Sequence, residues 1–127
     1  MPTSPIKERD IVLIEHPEVL GPHFYIILKI IDTSFYTVCC TSQVENAVRV
    51  AEIYGWKKQI VFIDHNSPDN TLNRQTVASC NDCFEFFKEQ ISTGKICGVI
   101  TEIEYKQIIE GMMDSPKSKY RCKKILL

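Results

Sequence analysis

Three short runs of β-branched and aromatic residues between positions 10 and 43 constrain this chain more than any other feature. Asp10-Ile11-Val12-Leu13-Ile14 reads as one strand, Phe24 to Ile30 as a second and Phe35 to Cys40 as a third. Gly21-Pro22 and Asp32-Thr33-Ser34 separate them, and such residues turn a chain rather than extend it. The order carries His16 and His23, in the first connection, to the rim of a sheet. The third strand runs into Thr41-Ser42-Gln43 at that same rim. Imidazole beside hydroxyl and amide groups is suited to acid–base chemistry on a phosphodiester.

The rest of the chain sets bounds on that reading. With 127 residues it has room for one domain with a core of its own. Its 44% hydrophobic and 24% charged residues are ordinary for a globular protein. No apolar run approaches the ~20 residues that span a bilayer, and residues 1–9 lack the hydrophobic stretch of a signal peptide. The expectation is a cytoplasmic protein without membrane contact. A net charge of −1 provides no global field, so any nucleic-acid contact has to use a local basic patch. Six cysteines are present, and Cys80-Asn81-Asp82-Cys83 has half the spacing of a zinc site or that of a redox pair. No second pair completes it: Cys39 and Cys40 are adjacent and would point to opposite faces of a strand. Reduced cysteines acting as small buried hydrophobes are the simpler reading, with no metal and no cofactor expected.

Residues 1–9 read as a flexible leader and 10–127 as the domain. Val44, Ala47, Val48 and Ala51 have helical spacing, although Val48-Arg49-Val50 also alternates, so 44–54 reads either as a helix or as an irregular excursion. Gln59 to Asp64 is a strand and His65 to Asn70 a polar loop. Thr76 to Asn81 is another strand, with Cys83 to Phe87 its continuation or partner, and Gly94 to Ile100 is a turn with a short extended piece. Thr101 and Glu104 form a capping box, and Tyr105, Ile108, Ile109, Met112 and Met113 make one apolar stripe, giving a helix at about 101–114. Ser115-Pro116 starts a second at about 116–127, made basic by Lys117, Lys119, Arg121, Lys123 and Lys124. The fold class is therefore α+β, mainly β: a small barrel with C-terminal helices packed outside it.

Several stretches, in order, resemble the MazF/PemK-like (Kid-like) toxins of bacterial toxin–antitoxin systems, which are small SH3-like barrels that cut RNA. Arg9-Asp10-Ile11-Val12-Leu13 is similar to their opening Arg-Gly-Asp strand. Gly21-Pro22-His23-Phe24 and the apolar residues after it resemble Gly-x-Arg-Pro and its strand, and Val38 to Gln43 resembles a strand ending in Thr-(Ala/Ser)-Gln. Arg74-Gln75-Thr76-Val77 and Gly94-Lys95-Ile96 with the helix behind it extend the likeness over residues 8–114. The resemblance implies a metal-independent endoribonuclease acting on single-stranded RNA through the 2′-hydroxyl. It also implies a homodimer and a cognate antitoxin peptide or protein that occupies the RNA groove.

Active members use an arginine at the start of the second strand and a threonine at the end of the third. The threonine falls on Thr41, and the arginine's place is taken by His23. Imidazole clamps a phosphate less firmly than guanidinium but exchanges a proton near neutrality. His23 and Thr41 are thus the catalytic candidates, the first as general acid or base and the second as donor to a phosphate oxygen. His16, Ser42, Gln43 and Arg74 are candidates for substrate binding. Plainer roles stand beside these. His16, before Pro17, also reads as an exposed turn residue, His23 as a structural histidine, and Thr41-Ser42 as a strand end capping the next segment. His65 reads as solvent-facing. The alternative function is a non-catalytic SH3-like module that binds a protein, peptide or nucleic acid. A zinc- or redox-responsive protein using Cys80 and Cys83 is the third.

Overall fold

The computed structural model describes residues 6–116 and 120–126. Residues 1–5 of the expected leader, and residues 117–119 and 127 of the last expected helix, lie outside the described residues. The chain runs β1 (Asp10–Glu15), β2 (Pro22–Ile31), β3 (Ser34–Thr41), α1 (Val44–Tyr54), a 3-10 turn (Lys57–Gln59) and β4 (Ile60–Ile63). It continues through β5 (Thr76–Phe87), α2 (Lys88–Ile91), β6 (Lys95–Val99), α3 (Glu102–Asp114) and α4 (Tyr120–Leu126). All strands belong to one six-stranded antiparallel sheet in the order β4-β5-β3-β2-β1-β6.

The sheet curls until its two edges nearly meet. The segment after β4 reaches β6 through an Asn70–Gly98 bridge, with Thr71 N–H donating to Cys97 O at 2.9 Å and Val99 N–H to Asp69 O at 2.9 Å. Gly98 has φ +120°, and a Cβ there would stand 2.3 Å from Asp69 O, so a side chain would prise this seam open. The architecture is the expected one: a curled, mainly antiparallel sheet with helices against it.

Alternation along the strands feeds two cores on opposite faces. Ile11, Ile26, Leu28, Val38, Cys40, Ala78 and Cys80 form one with Ile108 and Met112 of α3. Val12, Ile14, Tyr25, Ile27, Phe35 and Phe86 form the other with Ile91 of α2. The capping box forms as the sequence predicts: Glu104 N–H donates to Thr101 Oγ1 at 3.1 Å and Thr101 N–H to Glu104 Oε1 at 2.8 Å. The second carboxylate oxygen of Glu104 accepts from Asp64 N–H at 2.8 Å, which fixes the start of α3 to the end of β4. Gly111 then lets α3 lie against the 3-10 turn, since a Cβ there would be 2.3 Å from Lys58 O.

Three local ambiguities resolve. Residues 44–54 are helical. The run from Thr76 to Phe87 is one strand interrupted by a bulge: Val38 pairs with Cys83 and Cys39 with Ser79, leaving Cys80, Asn81 and Asp82 extra. The extended piece after Gly94 is a full edge strand, because β1 and Asn70 flank it on either side.

Candidate functional site

Strand register assembles the site. Tyr25 pairs with Cys39, Cys39 with Ser79 and Ser79 with Ile60, a row across β2, β3, β5 and β4. Paired residues share a face. One step nearer the rim, Thr41 pairs with Val77 and Val77 with Phe62. The β2–β3 pairing reaches the rim at Tyr25–Cys39; carried two residues further it would set His23 opposite Thr41, on the face that carries Tyr25 and Cys39. The two catalytic candidates thus belong to neighbouring strand ends.

Each has a local anchor. Thr41 Oγ1 accepts from Gln43 N–H at 3.1 Å, a turn that leaves the hydroxyl hydrogen available as a donor. His23 Nε2 lies 3.1 Å from Leu20 O. A carbonyl can only accept, so Nε2 carries the proton, and in the neutral ring Nδ1 keeps its lone pair. Beyond β3 an open cleft of about 760 Å3 is lined by Ser42, Gln43, Asn46, Arg49, Arg74 and Gln75. Glu45 also lines it, so two guanidinium groups face one carboxylate and the cleft favours an anion. Ser42, Gln43 and Arg74 therefore come together. His23 does not line this cleft, and Thr41 lines a smaller slot on the other side of Asn46.

His16 is elsewhere and is not the exposed turn residue that Pro17 suggested. It is 9% exposed and packs among Phe86, Phe84 and Tyr25 at ring-centroid distances of 4.8, 5.2 and 6.4 Å. Its Nδ1 accepts from Glu18 N–H at 3.1 Å and its Nε2 donates to Glu85 O at 3.1 Å, so both nitrogens hold backbone. The adjoining Tyr25 hydroxyl is buried without a hydrogen-bond partner, with the Cys39 thiol near it but outside bonding geometry. Burial, and then the neighbouring Cys39, holds this phenol well above its usual range. His65 is half-buried in the loop after β4.

The cysteines are largely interior. Cys40, Cys80 and Cys97 are buried, and burial pushes the Cys80 thiol up to about 12 and the Cys40 thiol well above the ordinary range. Among the described residues no group of three or more His, Cys, Asp or Glu is arranged to hold a metal ion. Asn46, Arg49 and Gln75 were not picked out by sequence reasoning. The available signal was helical: if 44–54 is a helix, Asn46 and Arg49 are neighbours on its surface, and Arg49 Nη2 indeed donates to Asn46 Oδ1 at 3.0 Å.

A curled antiparallel sheet with its helices outside it and a polar rim beyond the third strand is a MazF-like fold. The similarity that shows it is to Mycobacterium tuberculosis toxin MazF-mt6, with a TM-score of 0.62 and 15% identity, covering 88% of this chain and 100% of that one. No protein-family model matches the sequence, and no curated protein does. One departure from the resemblance has a visible consequence. Directly before Asp10, where the Arg-Gly-Asp pattern has glycine, Arg9 takes φ +76°. Its guanidinium donates to Ile100 O at 3.1 and 2.8 Å, which offsets the cost of a left-handed non-glycine residue.

Proposed function

We propose that this chain is a metal-independent endoribonuclease of the toxin kind, cleaving single-stranded RNA in the cytoplasm as part of a type II toxin–antitoxin system. What supports the reading is that His23 and Thr41 stand at the adjoining ends of β2 and β3, with a cleft lined by Arg74, Ser42 and Gln43 beyond β3. In this mechanism Nδ1 of His23 accepts the proton of the 2′-hydroxyl, and the 2′-oxygen attacks phosphorus. The Thr41 hydroxyl and the Arg74 guanidinium donate to the oxygens of the anionic phosphorane, and the 5′-oxygen leaves with a proton from water. Ser42 and Gln43 bind the flanking backbone. His16 enters as the residue that holds the β1–β2 loop in place. A homodimer would join two such rims, and an acidic antitoxin segment would cover them.

The test is incubation with a long single-stranded RNA in the presence of a chelator. Cleavage leaving 2′,3′-cyclic phosphate ends, lost in His23→Ala, is the expected result. Undiminished cleavage by His23→Ala would remove that residue from the mechanism. The second reading, a binding module that does not cut, is favoured by the absence of the arginine at position 23. Tight RNA or peptide binding by a wild-type protein that never cleaves would establish it.

A further inference from the structure

Between α1 and the sheet lies a second, narrower opening of about 190 Å3. That is below the roughly 300–1,000 Å3 of a drug-sized site and is room for one planar heterocycle. Its walls are mixed: Ala47, Val50 and Trp56 are apolar, and Asn46, Gln59 and Asn81 each bring an amide. Thr41 stands at the same opening. We propose that this slot takes a single nucleobase of the RNA strand, seated beside Trp56 and read by Gln59 and Asn81. The inference rests on the ribonuclease reading and names where that activity selects its substrate.

Two features make the slot a built one. The Trp56 ring is backed by Tyr54, stacked at a centroid distance of 4.7 Å and 18° between planes, and such an aromatic pair suits base stacking. The two amides are oriented from behind. Gln59 Nε2 donates to Gly111 O at 3.1 Å, so its Oε1 is the acceptor left over. Asn81 Oδ1 accepts from Ser115 Oγ–H at 2.6 Å, so its NH2 is the donor left over. Both residues are buried, at 4% and 7% exposure. Among the described residues the Tyr25 hydroxyl is the polar side-chain atom sealed off without a partner, so the leftover ends of Gln59 and Asn81 still reach solvent. The slot is the opening both residues line. An acceptor beside a donor matches the hydrogen-bonding edge of a base. With Thr41 at the mouth, the seated base belongs to a nucleotide adjoining the scissile phosphate.

The chain has one tryptophan, so its fluorescence reports on this slot directly. Wild-type protein is titrated with AMP, GMP, CMP and UMP, and the same series is run on Ala47→Phe, which fills the slot. Val50→Phe serves the same purpose if the first variant does not fold. Saturable quenching by at least one nucleotide, weakened about tenfold or more in the filled variant, is expected. RNA cleavage by that variant should also lose its base preference at one position next to the cut. If no nucleotide quenches Trp56 and the filled variant keeps the wild-type preference, the slot proposal fails while the ribonuclease reading survives. If quenching occurs without any RNA cleavage, the slot stands and the ribonuclease reading fails.

Discussion

The aromatic wall under the β1–β2 loop receives a histidine from that loop and the polar rim receives one from the start of β2, and the two are treated in opposite ways. In the wall, His16 has a backbone partner on each nitrogen and rings of Phe84, Phe86 and Tyr25 around it. At the rim, His23 has one backbone partner and is half-exposed. An imidazole whose lone pair already accepts an amide hydrogen has nothing left to exchange with a substrate. One whose second nitrogen opens to solvent does. Residue type alone would have made the two equivalent; the number of ring nitrogens engaged by backbone separates them.

The sharpest way to break this comparison is to remove each imidazole in turn. We expect His23→Ala to lower the rate of RNA cleavage by ~10²–10⁴-fold with an unchanged denaturation midpoint. His16→Ala should do the reverse. It opens a cavity and leaves Glu85 O and Glu18 N–H without these side-chain partners, at a cost of about 2–4 kcal/mol in urea unfolding. Its rate per folded molecule should stay near wild type. A stable but inactive His16→Ala protein would move the chemistry from the rim to the wall.

The interior should also show its own pH signature, separate from that of the rim. Cys80 has its thiol raised by burial from 9.0 to about 12, and Cys40 shifts in the same direction. In the unfolded chain these thiols ionise near their ordinary value, while the folded protein still holds the protons. The stability they contribute is therefore fully present below about pH 9 and declines between pH 9 and 12. Urea midpoints measured under reducing conditions should fall across that range by a few kcal/mol in free-energy terms. Cys80→Ala should flatten the decline and be somewhat less stable at neutral pH, from the thiol-sized void it leaves.

Much of the wall was legible in the sequence and much of the rim was not, for a physical reason. The strand runs from Asp10 to Thr41 are set by local alternation and turn residues, so the sequence pattern places their bounds to within a residue or two. Helix α3 was readable because its cap and stripe are both local. The bulge at Cys80 to Asp82 was not, since it exists only as a mismatch of register against β3. The helical state of 44–54 was ambiguous in isolation and is decided by burying Ala51 against neighbours distant in sequence. The slot beside Trp56 draws its walls from α1, β3, β5 and the 3-10 turn, and no window of sequence contains them together. Ser42 and Gln43 were legible as the polar end of the third strand run, whereas Arg74 was found only through the resemblance.

The smallest effect we expect lies between the two arginines of the rim, and it tests whether the cleft acts on substrate at all. Arg74 is exposed at the entrance to β5, with its guanidinium open to the cleft. Arg49 instead spends one nitrogen on Asn46 Oδ1 at 3.0 Å. A guanidinium already tied to its own helix has less to give a phosphate, and both are screened by solvent. Arg74→Ala should therefore raise KM for RNA by about tenfold with kcat little changed, and should reduce the salt dependence of binding by about one phosphate contact. Arg49→Ala should raise KM by only a few-fold. If the order were reversed, the phosphate path would run along α1 toward Trp56 rather than along the β3–β5 edge, and the rim would need to be redrawn around the helix.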